Sequence, residues 1–478
     1  MIARRYVRAV SAGGMTQMLT VALGFLALWL TTLVLDKQSF GAFMIAFAVV
    51  SVLSLVLAAG PHGLVLYRVS RASLAHETAE LVAPNLRIVL VAGVVVSAGL
   101  WSVSDDIAGW VGKPDLEVWL PQLLPFVVFD ALLRVLCSWD QGRQRVVRTA
   151  LFLDVAPLGV RCGILVSILP LSAAPGTLGT AVAVAYVGGA AASLAVLAGL
   201  QGGAAWRLRG RLRAWDYKYM AQLTLNGIVT KPQRSLDILL VGAFASATST
   251  ADYAVASRLA NVLVIPKQVV ALLLVPRLGW LLSRAEQNQL LKEFDACRGL
   301  VLLLALTGAI GFVLAGPFVL NLFGGEEDYG AAFGVLMILA IGMLVRSAFG
   351  HGVQLLNQAG MAGWTLMATL VASAVLVLGM IGAVPAYGAA GGAAAATVSA
   401  LASSALVAWA LRTRAGLSTM PSRAVLSLSL AAGVLLLIAA GLIGQWVGAL
   451  GLLLCLGGLG AFYAGEARRV LMTFRRRE

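Results

Sequence analysis

The stretch TKPQRSLDILLVG, Thr230–Gly242, sits inside a segment whose surroundings read as a membrane span. Lys231, Pro232, Arg234 and Asp237 break that reading. A charge at the centre of a bilayer costs roughly 2.5–3.5 kcal/mol on insertion scales. On a helix turning about 100° per residue, Gln222, Asn226, Thr230, Gln233, Arg234 and Asp237 fall within roughly a third of the wheel. Leu225, Ile228, Leu236 and Leu239 lie largely elsewhere. In lipid, such a polar stripe has to face a water-filled cavity or the bundle interior. Asn226, Thr230, Gln233 and Arg234 are therefore read as cavity lining, and Lys231 is counted with them although it lies off the stripe's centre. Pro232 removes one backbone hydrogen bond near mid-membrane and is a candidate hinge.

The whole chain supports the span. Its 478 residues are 60% hydrophobic and 12% charged, with a mean hydropathy of +0.92. A soluble protein keeps about 25% charged residues. Apolar runs of about 18 residues or more recur from end to end, which predicts spanning helices rather than barrel strands. Fourteen spans are expected, near 11–35, 40–66, 86–104, 118–139, 149–171, 177–200, 216–244, 251–276, 297–323, 330–351, 363–384, 388–411, 424–444 and 447–465. No removable signal peptide is expected, since MIARRYVR runs into the first span without a small-residue cleavage site.

The connections alternate in charge. One side collects Arg4, Arg5, Arg8, Arg68, Arg71, Arg143, Arg145, Arg148, the run WRLRGRLR, Arg277, Arg284, Arg412, Arg414 and the tail arginines. The other carries Lys37, Lys113 and the acids Asp36, Asp105, Asp106, Asp115, Glu117, Asp252, Glu326, Glu327 and Asp328. The positive-inside rule then places both termini in the cytoplasm. The formal charge of +14 is a mark of topology and gives no reason to expect nucleic acid. Cys137, Cys162, Cys297 and Cys455 form no CxxC pair and only three histidines are present, so neither a metal site nor a disulfide framework is expected. The longest connections, 67–85, 201–215 and 277–296, are cytoplasmic, and outer ones such as SAAPGT are short. A glycan polymerase would need a sizeable outer loop, so transport is favoured over an enzyme or a non-transporting scaffold.

Spans seven to twelve echo spans one to six. A short polar turn precedes Phe40-Gly41-Ala42 in one half and Tyr253-Ala254-Val255 in the other. The last helix of each half opens on Gly179-Thr180-Ala181-Val182-Ala183 or Gly391-Gly392-Ala393-Ala394-Ala395. The organisation expected is an all-α membrane protein with a lobe at 1–215, a parallel-related lobe at 216–415, and two further helices with a basic tail at 416–478.

Charges inside the spans carry the chemistry. Asp130 and Arg134 are spaced i,i+4, Asp154 and Arg161 i,i+7, and Arg234 and Asp237 i,i+3, so each acid shares a helix face with an arginine. Such pairs either fix helix packing or serve ion coupling. Lys231, Arg258, Lys267 and Arg346 remain as surplus cations, with Asn261 near Arg258; snorkelling from a span end competes with a functional role for Lys267, Arg258 and Arg346. A cationic interior suits an anion, since arginine's planar fork grips phosphate or carboxylate. The amides and hydroxyls of the stripe suit sugars.

The segment SLDILLVGAFASATSTADYAVASRLANVLVIPKQVVALLLVPRL resembles the start of the second lobe in Wzx-type polysaccharide exporters. These belong to the multidrug/oligosaccharidyl-lipid/polysaccharide superfamily. The matching positions are Asp237, Gly242, Tyr253, Ala256, Leu259, Pro266 and Pro276. FGAFMIAFAVV, AAGPHGLVLYRVSR and YGAAGGAAAATVSALAS extend the resemblance over nearly the whole chain. It implies two six-helix lobes around a central cavity and Pro266 as a second candidate hinge. The implied function is flipping of an undecaprenyl-pyrophosphate-linked oligosaccharide, an O-antigen or exopolysaccharide repeat unit, across the bacterial inner membrane. Coupling to an H+ or Na+ gradient is expected, with no cofactor, and Asp154 or Asp237 is a candidate coupling site. Implied partners are membrane lipids and the polymerase and chain-length proteins of the pathway. Sister branches export drugs or flip the peptidoglycan precursor; a cation antiporter would be expected to carry intramembrane acids without basic partners.

Overall fold

A chain in hydrocarbon must satisfy its backbone internally, and helices do so within each segment. The computed structural model describes residues 2–69, 75–143, 145–169, 178–201, 212–230, 235–284, 286–323, 328–417 and 419. Both expected C-terminal spans lie outside the described residues, as do Lys231, Pro232, Gln233 and Arg234. Among the described residues the regular structure is helical and no strand occurs. Among the described residues, ten stretches are long and apolar enough to cross a membrane, so the protein is a multi-pass membrane protein. The chain divides into two compact units, Met1–Ala243 and Phe244–Glu478.

In the first unit the helices are α1 (Ile2–Val34), α2 (Lys37–Val69), α3 (Ala75–Ser102), α4 (Ser104–Val111), α5 (Asp115–Gly142), α6 (Val146–Ala150), α7 (Ala156–Ile168), α8 (Leu178–Leu200), α9 (Ala214–Thr230) and α10 (Leu236–Phe244). A π turn, Leu151–Val155, joins α6 to α7. Helix α5 packs on α2, α3 and α8, and α9 lies along α2. One end of the core is aromatic: the Phe43 ring meets Tyr186 at 4.7 Å and Trp119 at 5.2 Å, both edge-on. The other end is aliphatic, with Val65, Leu86, Leu133, Leu136 and Leu197 fully buried. Small residues let backbones close up: a Cβ on Gly60 would lie 2.6 Å from the Met220 carbonyl, and one on Gly242 2.5 Å from Ile45.

The second unit holds α11 (Ala247–Ala260), a 3₁₀ turn (Asn261–Val264), α12 (Ile265–Ser283), α13 (Gln287–Asn321), α14 (Ala332–Ala348), α15 (Gly352–Gln358) and α16 (Ala362–Arg414). Helix α16 is two antiparallel spans. Gly388, with φ 55° and ψ −134°, breaks the helical path, and Ser399 Oγ donates to the Ala372 carbonyl at 2.6 Å across the hairpin. Trp364 and Trp409 meet at 5.5 Å near its open end. The two spans expected at 363–384 and 388–411 are thus joined without an intervening loop.

Both units share one local device. Asp36 caps α2 by accepting from Ser39 N at 3.1 Å, and Ser246 caps α11 by accepting from Ser249 N at 3.1 Å. Phe40-Gly41-Ala42 and Tyr253-Ala254-Val255 follow these caps, and all six residues are buried. The polar turn supplies the cap that the first helical amides need, and the aromatic-small-small pattern then enters the core.

Two connections differ from expectation. The 277–296 stretch is nearly all helix, because α12 runs to Ser283 and α13 starts at Gln287. Leu278, Leu281, Leu290 and Phe294 supply an apolar face that is buried, and Arg277 grips Glu293 with bonds of 2.9 Å from both Nε and Nη2. The connection after Ser102 contains the short helix α4, with Asp105 and Asp106 in its first turn and Gly112 closing it in the left-handed region.

Candidate functional site: polar groups within the spans

In the first unit, α2 and α5 share a satisfied ion pair. Arg134 donates to Asp130 from Nε at 2.7 Å and from Nη2 at 3.3 Å. Ser54 Oγ donates to the same carboxylate, and His62 Nδ1 donates to the Arg134 carbonyl at 3.1 Å. Asp130 is 7% exposed. A buried carboxylate held by a guanidinium and a hydroxyl is chemically quiet, and it fastens two helices together.

Asp154 and Arg161 differ in burial. Asp154 lies exposed in the π turn, while Arg161 is buried. The Arg161 guanidinium lies 3.6 Å from the centre of the Tyr186 ring and 5.4 Å from that of Phe47. Thr31 gives its hydroxyl proton to the Ala27 carbonyl at 2.6 Å, so Tyr186 is the donor in its 3.2 Å bond to Thr31. Arg161 thus caps an aromatic cluster by cation–π contact.

The seventh span is described on either side of 231–234. Asn226 and Thr230 belong to α9, and their side chains lie outside the described residues. Asp237 opens α10, where a carboxylate suits the positive end of the helix dipole; its Oδ1 accepts from Ile238 N at 2.9 Å. At the far end of α10, Lys113 donates to the Gly242 carbonyl. Burial pushes the Lys113 ammonium below its ordinary pKa.

In the second unit the cations gather at two broken helices. Arg258 lies exposed in the last turn of α11, and Asn261, also exposed, opens the 3₁₀ turn. Pro266 stands in the first turn of α12, where a missing amide proton costs nothing. Lys267 Nζ donates to the Arg346 carbonyl at 3.1 Å, and the Arg346 side chain is exposed. His351 Nε2 donates to the Lys267 carbonyl at 2.9 Å. Arg346 and Lys267 are therefore brought together, with Arg258 and Asn261 preceding Lys267 on the same interrupted span.

Several groups are legible only in three dimensions. His351 is fully buried, and nothing in the sequence marks it beyond the preceding Gly350. Asp216, 1% exposed, accepts from Arg68 Nε at 3.0 Å and from Arg213 N at 2.8 Å, linking α2 to the start of α9. Asp140 forms an ion pair with Arg148 at 3.0 Å and accepts from Gln201 Nε2 at 3.2 Å. Among the described residues, no three His, Cys, Asp or Glu side chains cluster as metal ligands would.

Both units are helical bundles, and solved transporter structures share this fold. One similar solved structure is the lipid II flippase MurJ in an inward closed conformation, with a TM-score of 0.71, 12% identity, and coverage of 94% of this chain and 98% of that one. Another is an inward-facing multidrug resistance transporter of the MATE family, with a TM-score of 0.67, 14% identity, and 83% and 94% coverage. A third is a superfamily transporter from Pyrococcus furiosus, described as having a binding pocket of reverse polarity, with a TM-score of 0.60, 14% identity, and 85% and 95% coverage. No sequence family matches the chain, and no curated protein does. At such identities the likeness establishes the fold.

Proposed function

We propose that the protein flips an undecaprenyl-pyrophosphate-linked oligosaccharide across the bacterial inner membrane by alternating access. The observation that carries this reading is the exposure of two arginines at helix breaks in the second unit. Asp130 is saturated by Arg134 and Ser54, whereas Arg258 and Arg346 lie exposed at helix breaks. Irregular backbone at membrane depth belongs where it is buried in protein or lines a water-filled cavity. Exposed guanidinium groups at that depth suit a pyrophosphate, which two arginines can grip through planar, charge-assisted hydrogen bonds. The polar stripe from Gln222 to Asp237, with Lys231, Arg234 and Gln233, supplies contacts for the glycan. Pro232 and Pro266 are the hinges, and an H+ or Na+ gradient drives the cycle. Both termini face the cytoplasm, and the polymerase and chain-length proteins of a surface-glycan pathway act next.

The likeness to a lipid II flippase supports a second substrate of the same chemistry, the peptidoglycan precursor. A drug antiporter shares the fold and would need an acid open to an organic cation. Purified protein in liposomes, loaded with a fluorescent undecaprenyl-pyrophosphate glycan, tests the reading. Transfer between leaflets is expected, with loss in Arg234→Ala, Arg258→Ala and Arg346→Ala. Transport of an organic cation, with the lipid-linked glycan unmoved, would replace this reading with the antiporter.

A further inference from the structure

Two interrupted spans of the second unit meet at their interruptions. The first passes from α11 through the 3₁₀ turn Asn261–Val264 into α12, with Lys267 in the first turn of α12. The second passes from α14 through Phe349–His351 into α15, with Gly350 in the left-handed region at φ 66°. At that second break the Gly350 amide turns back to the Ser347 carbonyl at 3.0 Å. The Arg346 carbonyl therefore loses the donor that a continuing α-helix would give it. Lys267 Nζ fills this place at 3.1 Å, a lysine capping the negative end of a helix.

The Lys267 main chain is held in turn. A carbonyl only accepts, so the 2.9 Å contact fixes a proton on His351 Nε2. The ring's other nitrogen has no hydrogen-bond partner among the described residues. Packing seats the break from both sides: a Cβ on Gly350 would lie 3.2 Å from Arg298 Cβ, and one on Gly352 2.8 Å from Val407. His351 thus holds Lys267, and Lys267 holds the backbone from which the Arg346 guanidinium projects.

We propose that the paired breaks form one junction, and that His351 is a positioning residue which, through Lys267, fixes the Arg346 guanidinium for a pyrophosphate. The binding role rests on the flippase reading, while the junction itself does not. His351→Leu removes the donor; His351→Gln restores one near the same place, because the glutamine amide reaches where Nε2 lies.

Two measurements on the full-length protein in nanodiscs test this. The first is binding of undecaprenyl pyrophosphate. Arg346→Ala and His351→Leu should each weaken it about tenfold, the double variant should be no weaker than either, and His351→Gln should bind as the unsubstituted protein does. The second is amide hydrogen exchange over 346–351 and 265–271 without undecaprenyl pyrophosphate, which should accelerate in His351→Leu and recover in His351→Gln. Multiplicative losses in the double variant, or unchanged exchange in His351→Leu, would overturn the positioning role. Full binding by Arg346→Ala overturns that role together with the proposed cationic grip. No binding by the unsubstituted protein removes the proposed ligand alone, and the exchange measurement then decides the junction.

Discussion

Asp130 receives two bonds from Arg134 and one from Ser54, and the neighbouring helix returns a bond from His62 to the Arg134 carbonyl. Removing one partner of such a buried pair leaves a charge stranded at a cost of about 3–5 kcal/mol. Arg134→Met should therefore lower the thermal unfolding midpoint sharply, and Asp130→Leu with Arg134→Met should recover much of the loss. Scanning calorimetry or a thermal-shift assay in detergent reads both. Arg258→Ala and Arg346→Ala are expected to leave the midpoint near that of the unsubstituted protein and to stop transport. The i,i+4 spacing is enough to bring Asp130 and Arg134 into contact. The same spacing logic says nothing of Ser54 and His62, which tertiary packing delivers from another helix. His351 shows the limit most clearly. A lone histidine in an apolar run carries no periodicity, and its role exists only once two distant breaks are folded together.

At the scale of the element, hydropathy locates spans because the bilayer demands a minimum apolar length. It is less informative about where helices end, since helical hydrogen bonding does not stop at the edge of the hydrocarbon. That is why α12 and α13 continue through a stretch that charge alone marks as a loop. It also explains why the π turn before α7 escapes a reading based on α-helical angles. The hairpin within α16 is legible in outline, through YGAAGG between two apolar runs, yet its geometry is specific. Gly388 adopts a backbone that essentially only glycine enters without strain, and Ser249 Oγ accepts from the Ala389 amide at 3.1 Å. Gly388→Ala should cost about 1–3 kcal/mol, and Ser249→Ala about 1 kcal/mol. Denaturation by a graded harsh detergent gives both values, and the glycine change is expected to be the larger.

For the whole molecule, the alternation of basic and acidic connections is the strongest signal in the chain, and it fixes a testable orientation. In a variant lacking its natural cysteines, Gln287→Cys should react with an impermeant maleimide added from the cytoplasmic side. Asp328→Cys should react only from the opposite side, and the reverse pattern would invert the proposed topology. What the sequence does show in both halves is a polar turn ahead of a buried aromatic, at Asp36–Phe40 and Ser246–Tyr253. The weak identity to other structures of this fold has a physical source. Lipid-facing and core positions ask for apolar volume and small residues at close approaches, and many sequences meet that demand.

The hairpin at Gly388 also bears on how the protein is made. Two spans without a loop between them leave no hydrophilic stretch that could be threaded across alone after the first span has settled. The pair is therefore expected to enter the bilayer as one folded hairpin. Ser249, on a span made earlier, supplies the acceptor that ties the Ala389 amide at that tip.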